Sequence, residues 1–204
     1  MLPGFTLKQL QEKMGYTFKD VTLLEKALTH SSYANERKIN KIDNYERLEF
    51  LGDAVLELVT SEFLYHENPE MPEGQLTKLR ASYVCEPSLA LCAKSLDLGS
   101  YLFLGRGEAS TGGRGRSSIL CDVMEAIIGA VFLDAGIDVA KEYIHRIILN
   151  DLEDKALFYD AKTILQEKIQ KLGRQLSYKV VKEEGPEHEK VYFVEAYMDE
   201  ELIG

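Results

Sequence analysis

The sequence predicts a mainly α-helical protein. A helical domain is expected over residues 1–152, followed by a linker at 153–160 and a partial α/β domain at 161–204. Two observations support this division. Most of the first 151 residues carry apolar side chains at helical spacing, separated by capping and turn signals. Residues 177–183 and 191–198 instead alternate apolar and polar side chains, which is typical of half-buried strands.

Each predicted element follows from a local signal. Asp20 is a candidate N-cap, Pro69 follows the end of a long helix, and Pro87 starts another. A glycine-rich stretch of few apolar residues at 105–118 is expected to be a loop, and Glu184-Gly185-Pro186-Glu187 a turn. The predicted helices cover residues 7–14, 21–28, 46–65, 73–84, 87–96, 118–135, 137–149 and 162–172.

Length and composition exclude some classes of protein. The chain has 204 residues, of which 45% are hydrophobic, enough for one ordinary domain and a smaller one. It contains no apolar run near the roughly 18 residues that a membrane helix needs, and residues 1–8 do not resemble a signal peptide. The cysteines, at positions 85, 92 and 121, lack CxxC spacing, so neither disulfides nor a zinc site is expected. We therefore expect a cytoplasmic protein that does not enter a membrane.

The net charge of −10 is an objection to a nucleic-acid partner, because phosphate binding depends on Lys and Arg. The objection weakens where acids and bases occupy different surfaces. It also weakens where divalent cations offset the acids. Charge alone therefore leaves the class of partner open.

The long helix predicted from residue 46 carries an unusual stripe of acids. Glu46, Glu49 and Asp53 fall within about 60° of one another on one helical face, inside a largely apolar segment. Like charges at this spacing repel each other, so stability alone does not favour the arrangement. A compensating cation is expected, and a metal ion with hard oxygen ligands is the simplest one.

A second acidic pair lies in the other strongly apolar helix. Asp122 and Glu125 are three residues apart and are followed by the apolar run 126–133. If the two helices pack side by side, their acids can converge, and several carboxylates in a small apolar-walled site require cations. Mg²⁺ is the expected ion. The alternative is that these acids cap helices or pair with Arg47, Lys78 or Arg80. Two acidic sets in the two most apolar helices make this alternative less favoured.

The run Glu46-Arg47-Leu48-Glu49-Phe50-Leu51-Gly52-Asp53-Ala54 resembles the signature of the ribonuclease III family. Residues 27–36 and 122–126 resemble the same family, in the same order along the chain. The resemblance implies an all-helical homodimeric endonuclease that cleaves double-stranded RNA with Mg²⁺, for which Mn²⁺ substitutes. The acids that the resemblance assigns to metal binding and catalysis are Glu49, Asp53, Asp122 and Glu125.

The same resemblance assigns three further positions. Glu46 corresponds to a supporting acid of the signature, and Glu73 corresponds to an acid near the site. For Glu73, a simple charge at a helix N-terminus is an equally good interpretation. Phe50 corresponds to an aromatic residue that inserts into a pocket of the partner subunit, although an ordinary core phenylalanine would give the same pattern. A dimer would set two acidic sites along one groove, which would explain a staggered cut of the two strands.

The glycine-rich stretch at 105–118 is locally basic, with Arg106, Arg114 and Arg116 against one acid. Such groups suit contacts with RNA phosphates and 2′-hydroxyls, and the stretch leads directly to Asp122. The alternative for any one of these arginines is a place in a solvated loop. The stretch lacks Gly-Lys-[Ser/Thr], so no nucleotide cofactor is expected. His30 and Ser31 have no evident third partner for nucleophilic catalysis, and a structural role near a helix end is preferred for them.

The C-terminal segment resembles the start of a double-stranded-RNA-binding domain of α-β-β-β-α type. Residues 160–167 correspond to its first helix and residues 185–188 to a loop that enters the minor groove. The family's lysine-rich last helix and the end of its third strand have no counterpart here. The RNA contacts that the resemblance assigns are Thr163, Gln166, Glu167 and His188.

These interpretations favour a Mg²⁺-dependent endoribonuclease that uses metal-activated water and leaves 5′-phosphate and 3′-hydroxyl ends. Processing of ribosomal RNA precursors and structured messenger RNAs is the expected task. Two alternatives belong to other classes. A non-catalytic RNA-binding scaffold would have no need for the retained acids. A metal-dependent phosphatase or nucleotide hydrolase would have no need for the RNA-binding segment.

Overall fold

The structure is a computed structural model that describes residues 1–38, 40, 42–150, 165–166, 168–170, 172–184 and 190–204. The chain forms two compact units, Met1–Ala156 and Leu157–Gly204. The linker predicted at 153–160 lies outside the described residues. In the described part of the chain, no helix combines the length and the apolar character that a membrane span requires.

The described residues of the first unit are mainly helical, as the sequence predicts. The unit also contains a 3₁₀ turn at Gly113–Gly115 and a π-helix at His145–Leu149. The α-helices are α1 (Leu7–Met14), α2 (Val21–Ala27), α3 (Ser31–Arg37), α4 (Glu46–Glu67), α5 (Glu73–Val84), α6 (Glu86–Ser95), α7 (Leu98–Tyr101), α8 (Arg106–Ser110), α9 (Ser117–Ala135) and α10 (Ile137–Ile144).

Side chains at the helix ends explain several of these boundaries. Thr6 and Gln9 form a reciprocal capping box at the start of α1, and the side chain of Asp20 accepts a hydrogen bond from the Thr22 amide, as the prediction for Asp20 requires. His30 is the N-cap of α3, and its Nδ1 accepts a hydrogen bond from the Ser32 amide. The structural role expected of His30 is therefore confirmed.

One prediction about the helical unit was wrong. The stretch at 105–118 is not a simple loop, because it contains α8 and the 3₁₀ turn. Contacts distant in sequence order it: the Gly105 amide donates to Ser32 Oγ at 3.0 Å, and the Arg106 amide donates to the Glu36 carboxylate at 2.7 Å. The helix predicted at 137–149 is confirmed over its whole length, as α10 to Ile144 and as the π-helix from His145 to Leu149.

Helix α9 forms the centre of the core. Eleven of its residues are buried, and they lie on every side of the helix. This burial agrees with its nearly uninterrupted apolar sequence. Helix α4 packs against it, and α4 contributes Leu48, Val55, Leu56 and Val59 to the same buried core. The two most apolar helices are therefore neighbours, and this arrangement decides where their acids lie.

The second unit contains a three-stranded antiparallel sheet in the order β1-β2-β3, formed by Leu176–Glu184, Val191–Met198 and Glu201–Leu202. Leu176 pairs with Met198 and Glu184 with Val191, with a bulge between Val180 and Lys182. The first two strands match the predicted ones, and Glu184 ends β1 instead of starting the turn. Of the predicted helix at 162–172, the structure describes residues 165–166 and 168–170 as helical.

Candidate metal centre

Two glycines let α4 and α9 touch backbone to backbone. A Cβ atom on Gly52 would lie 1.8 Å from the carbonyl oxygen of Glu125, and one on Gly129 would lie 2.2 Å from the carbonyl oxygen of Leu48. Glu49 and Asp53 flank this crossing on α4, and Glu125 flanks it on α9. The close approach brings acids of the two helices to one place, which the sequence could only suggest.

Asp122 and Glu125 lie at the centre of the resulting site. Their carboxylate oxygens and the Cys121 sulfur all lie within 4.8 Å of one another, a spacing that could hold a metal ion. Cys121 Sγ is 3.8 Å from Glu125 Oε1. Cys121 was not a predicted site residue. Its position one residue before Asp122 is the only sequence signal that could have indicated it.

The acids of the two helices affect each other's protonation. Burial, together with the charges of Asp122, Glu46 and Asp53, raises the pKa of Glu49 to about 7. Burial and the charges of Asp53, Glu49 and Asp122 raise the pKa of Glu125 to about 8. These mutual effects link Glu49, Asp53, Asp122 and Glu125 into one electrostatic group, here called the acid cluster.

Asp122 has additional neighbours that the sequence did not reveal. Burial raises its pKa and the negative charge of Glu86 raises it further, whereas a hydrogen bond from Tyr45 and the nearby His30 lower it. Tyr45 Oη donates to Asp122 Oδ2 at 3.0 Å. Tyr45 directly precedes the acidic run and Glu86 opens α6, but neither stands out in the sequence without the fold.

The residues present suit a divalent cation with oxygen ligands. Half-buried carboxylates with raised pKa values are short of positive charge, and a hard cation such as Mg²⁺ or Mn²⁺ provides it. The pairing alternative is not observed for Arg80, which binds Glu57 at 2.7 Å and Ser61.

The two supporting acids lie in different surroundings. Glu46 begins α4 and its charge contributes to the raised pKa of Glu49. Glu73 begins α5, where its carboxylate accepts a hydrogen bond from Thr77 Oγ1 at 2.9 Å. It borders a cavity of about 180 Å³ that Tyr65 and Arg80 also line. This position is compatible with both interpretations of Glu73, a supporting acid near the site and a charge at a helix N-terminus.

Phe50 is not a core residue, because 80% of its surface is exposed. Leu58 and Tyr65, on the same helix, are also largely exposed, at 61% and 69%. At 100° per residue, these three side chains lie on one side of α4. An exposed apolar stripe of this kind is typical of an interaction surface.

The three arginines of the 105–118 segment have different environments. Arg106 has 96% of its side chain exposed and lies 3.5 Å from the Glu36 carboxylate. Arg116 forms an ion pair with Glu108. Arg114 Nη1 donates to the carbonyl oxygens of Gly99 and Leu102 at 2.8 and 2.9 Å, so this side chain holds the segment to α7. Internal use of Arg114 departs from its predicted role as an RNA contact.

The C-terminal predictions are only partly described. Gln166 is helical and exposed, which leaves its side chain accessible. Thr163, Glu167 and His188 lie outside the described residues.

A larger cavity, of about 640 Å³, borders α10 and the π-helix and shares no described lining residue with the acid cluster.

Comparisons with known proteins agree with this architecture. Residues 20–152 match the family model described as Ribonuclease-III-like, and residues 161–204 match the double-stranded RNA binding motif. Ribonuclease 3 of Enterococcus faecalis is 49% identical over 199 residues, covering 96% of this chain and 86% of that protein. Ribonuclease 3 of Pelotomaculum thermopropionicum is 50% identical over 191 residues, covering 91% and 79%.

A solved structure shows the same similarity. The nuclease domain of ribonuclease III from Campylobacter jejuni, described in connection with flexibility in its dimer-forming region, is 46% identical with a TM-score of 0.66. The similarity covers 70% of this chain and 96% of that domain.

Proposed function

Because the chain belongs to the ribonuclease III family, we propose that it is an endoribonuclease that cleaves double-stranded RNA. The observation that carries the proposal is the acid cluster at the crossing of α4 and α9. Members of this group from both helices have raised pKa values because they are buried together. A scaffold without catalysis has no need for such an unfavourable arrangement.

The proposed metal ligands are Glu49, Asp53, Asp122 and Glu125, with Mg²⁺ as the resident ion and Mn²⁺ as a substitute. When bound, the ion supplies Lewis acidity for hydrolysis of a phosphodiester, which leaves 5′-phosphate and 3′-hydroxyl ends. Asp53 is exposed, whereas Glu49, Asp122 and Glu125 are half-buried. Asp53 therefore borders the side from which RNA approaches, and the half-buried acids form the base of the site.

Contact with RNA is assigned to residues outside the cluster. Arg106 is exposed at the start of α8, in the basic 105–118 segment, and Arg116 and Gln166 are also exposed. We retain Thr163, Glu167 and His188 as proposed contacts of the double-stranded RNA binding motif, which reads the shape and 2′-hydroxyls of a duplex. Glu46 and Glu73 remain proposed supporting acids. The net charge of −10 is compatible with this function, because part of the acidity is used to hold cations.

We propose that two copies of the chain form the active protein. Phe50, Leu58 and Tyr65 expose apolar surface on one side of α4, and a second copy would cover it. The cavity of about 180 Å³ between α4 and α5 lies beside Tyr65 and is the candidate receptor for the partner's Phe50. A dimer carries two acid clusters, one for each RNA strand, which accounts for a staggered cut.

The remaining proposals concern organisation and location. We assign the catalytic domain to residues 1–152, the linker to 153–160 and the RNA-binding domain to 161–204. All three cysteines are free thiols, which is compatible with the reducing cytoplasm. Processing of ribosomal RNA precursors and structured messenger RNAs is the proposed cellular task.

The decisive experiment measures cleavage of a long RNA duplex by the wild type and by Glu125→Gln, with Mg²⁺ and with EDTA, followed by end-group analysis. Cleavage should require Mg²⁺ and should fall at least about 100-fold in the variant, while duplex binding in Ca²⁺ persists. Glu142→Gln, an exposed change on α10, is the matched control and should cleave normally.

Three outcomes would contradict the proposal. Undiminished cleavage by Glu125→Gln would exclude the proposed centre. Consumption of free nucleotides or single-stranded RNA in place of duplex RNA would favour the nucleotide hydrolase. Duplex binding without any cleavage in Mg²⁺ or Mn²⁺ would favour the scaffold.

A further inference from the structure

Tyr45 connects the two helices that carry the acid cluster. Its carbonyl oxygen accepts hydrogen bonds from the amides of Leu48 and Glu49 at 2.8 and 2.9 Å, which fixes the first turn of α4. Its hydroxyl donates to Asp122 Oδ2 on α9 at 3.0 Å. One residue therefore contacts the backbone of one proposed ligand and the carboxylate of another.

Tyr45 itself has little freedom to move. Only 4% of its surface is exposed, and its amide donates to the Thr29 carbonyl at 2.9 Å. The His30 ring lies against the Tyr45 ring, with the centroids 5.6 Å apart. His30 is held in turn by Ser32, whose amide and hydroxyl lie 3.0 and 2.7 Å from His30 Nδ1. The phenol therefore presents its hydroxyl to Asp122 from a fixed position.

We propose that Tyr45 is a positioning residue of the metal centre, which holds the Asp122 carboxylate in the orientation needed to bind a divalent cation. The inference rests on the proposed function, because it takes Asp122 as a metal ligand. A hydrogen bond to Oδ2 fixes the rotation of the carboxylate and does not use Oδ1. Outer hydrogen bonds of this kind orient metal ligands, and their loss typically weakens metal binding about 10- to 100-fold.

The test is the affinity of the RNA-free protein for Mn²⁺, measured by calorimetry for the wild type and Tyr45→Phe. The substitution retains the ring and removes only the hydroxyl. We expect Mn²⁺ binding to weaken about 10-fold. In cleavage assays, the Mg²⁺ concentration at half-maximal rate should rise by a similar factor, while the KM for duplex RNA stays unchanged and excess metal restores the rate.

Tyr143→Phe is the matched control. Tyr143 is also buried, but its hydroxyl has no hydrogen-bond partner among the described residues, and it lies on α10, which carries none of the acids of the cluster. This variant should bind Mn²⁺ as the wild type does. Thermal melts in EDTA establish that both variants are folded at the assay temperature.

A second comparison separates orientation of Asp122 from a general effect on the fold. Adding Tyr45→Phe to Asp122→Asn should change Mn²⁺ affinity less than about 2-fold, because the carboxylate that Tyr45 orients is gone. An equal loss in both backgrounds, or wild-type affinity in Tyr45→Phe, would overturn the inference. A wild-type protein that binds no Mn²⁺ would overturn the proposed metal centre instead.

Discussion

The phenol of Tyr16 donates a hydrogen bond of 2.5 Å to Asp134 Oδ2. The amides of Lys19 and Asp20 donate to the same carboxylate at 2.9 and 2.8 Å. Tyr16, Lys19 and Asp20 belong to the connection between α1 and α2, whereas Asp134 lies in the last turn of α9. One carboxylate therefore ties this connection to the central helix.

Replacing Asp134 by Ala should destabilise the protein. Hydrogen bonds to a charged group contribute about 1.5–3 kcal/mol each, and partial exposure reduces their sum, so we expect a loss of about 2–4 kcal/mol in the free energy of unfolding. Urea denaturation measures it. Tyr16→Phe removes one of the three bonds and should cost less, and a change below about 0.5 kcal/mol in Asp134→Ala would contradict the role.

The same carboxylate predicts a dependence on acid. Burial raises the pKa of Asp134, but the hydrogen bonds from Tyr16, Lys19 and Asp20 outweigh burial, so its pKa lies below the ordinary value of 3.8. A depressed pKa stabilises the folded state above pH 3.8, and this contribution is lost as the pH falls through the folded pKa. Wild type and Asp134→Asn should therefore converge in stability towards strongly acidic pH.

The crossing at Gly52 predicts a large effect of a single methyl group. A Cβ at this position would lie 1.8 Å from the Glu125 carbonyl oxygen, so Gly52→Ala must push α4 and α9 apart. Backbone displacement in a packed core typically costs about 1–3 kcal/mol, and we expect the upper end. Gly74→Ala, also helical but with open space around the new methyl, should be neutral or slightly stabilising. Equal stability of the two variants would contradict this account.

Arg106 and Arg114 should differ in what their loss affects. Arg106→Ala removes an exposed charge and should weaken duplex binding. The salt dependence of the binding constant should fall by about one phosphate contact, while the stability of the fold stays unchanged. Arg114→Ala removes two hydrogen bonds to the carbonyls of Gly99 and Leu102 and should lower the melting temperature. Binding titrations at several salt concentrations, together with thermal melts, distinguish the two outcomes. The reverse pattern would show that the assignments are exchanged.

Sequence patterns predicted the helices and strands whose signals are local. Asp20 as a cap, Pro87 as a helix start and the alternation of Val191–Met198 are examples. The short helix Arg106–Ser110 escaped prediction because Ser32 and Glu36, 73 and 70 residues away from their partners, hold its start. Local patterns cannot include such contacts.

The candidate site was likewise predictable only where the signal is local. Helical spacing predicted that Glu49 lies near Asp53, and that Asp122 lies near Glu125, because the two members of each pair belong to the same helix. Tyr45 and Glu86 were missed because each approaches Asp122 from another element, and only the packing of those elements brings them there. The role of Arg114 was missed for a similar reason, since its partners are backbone carbonyls, which no sequence pattern marks.

Phe50 offers a test of the proposed dimer that leaves the fold of each subunit intact. Because 80% of its surface is exposed, Phe50→Asp should not change the stability of a single subunit. A buried charge at the interface should dissociate the dimer, which sedimentation velocity measures directly. Leu133→Asp, at a residue that is 54% exposed on α9, is the control and should leave the oligomeric state unchanged. A wild type that sediments as a monomer at high concentration would contradict the proposed dimer.

The acid cluster predicts that the metal-free protein loses stability as the pH rises. Glu49 and Glu125 have folded pKa values of about 7 and about 8, against 4.5 for the ordinary glutamate. Between pH 4.5 and pH 8 the folded state therefore holds more protons than the unfolded state, so the free energy of unfolding falls across this range and levels off above it. Melting temperatures in EDTA at intervals from pH 5 to pH 9 measure the effect.

Mg²⁺ should reverse this trend, because the ion binds the ionised carboxylates and favours their deprotonation. The gain in melting temperature on adding Mg²⁺ should accordingly be larger at pH 8 than at pH 5.5. Glu125→Gln removes one of the two titrating groups, so its melting temperature in EDTA should depend less on pH. A metal-free wild type whose stability rises steadily from pH 5 to pH 8 would show that the cluster does not resist ionisation, and the physical argument for a bound cation would then fail.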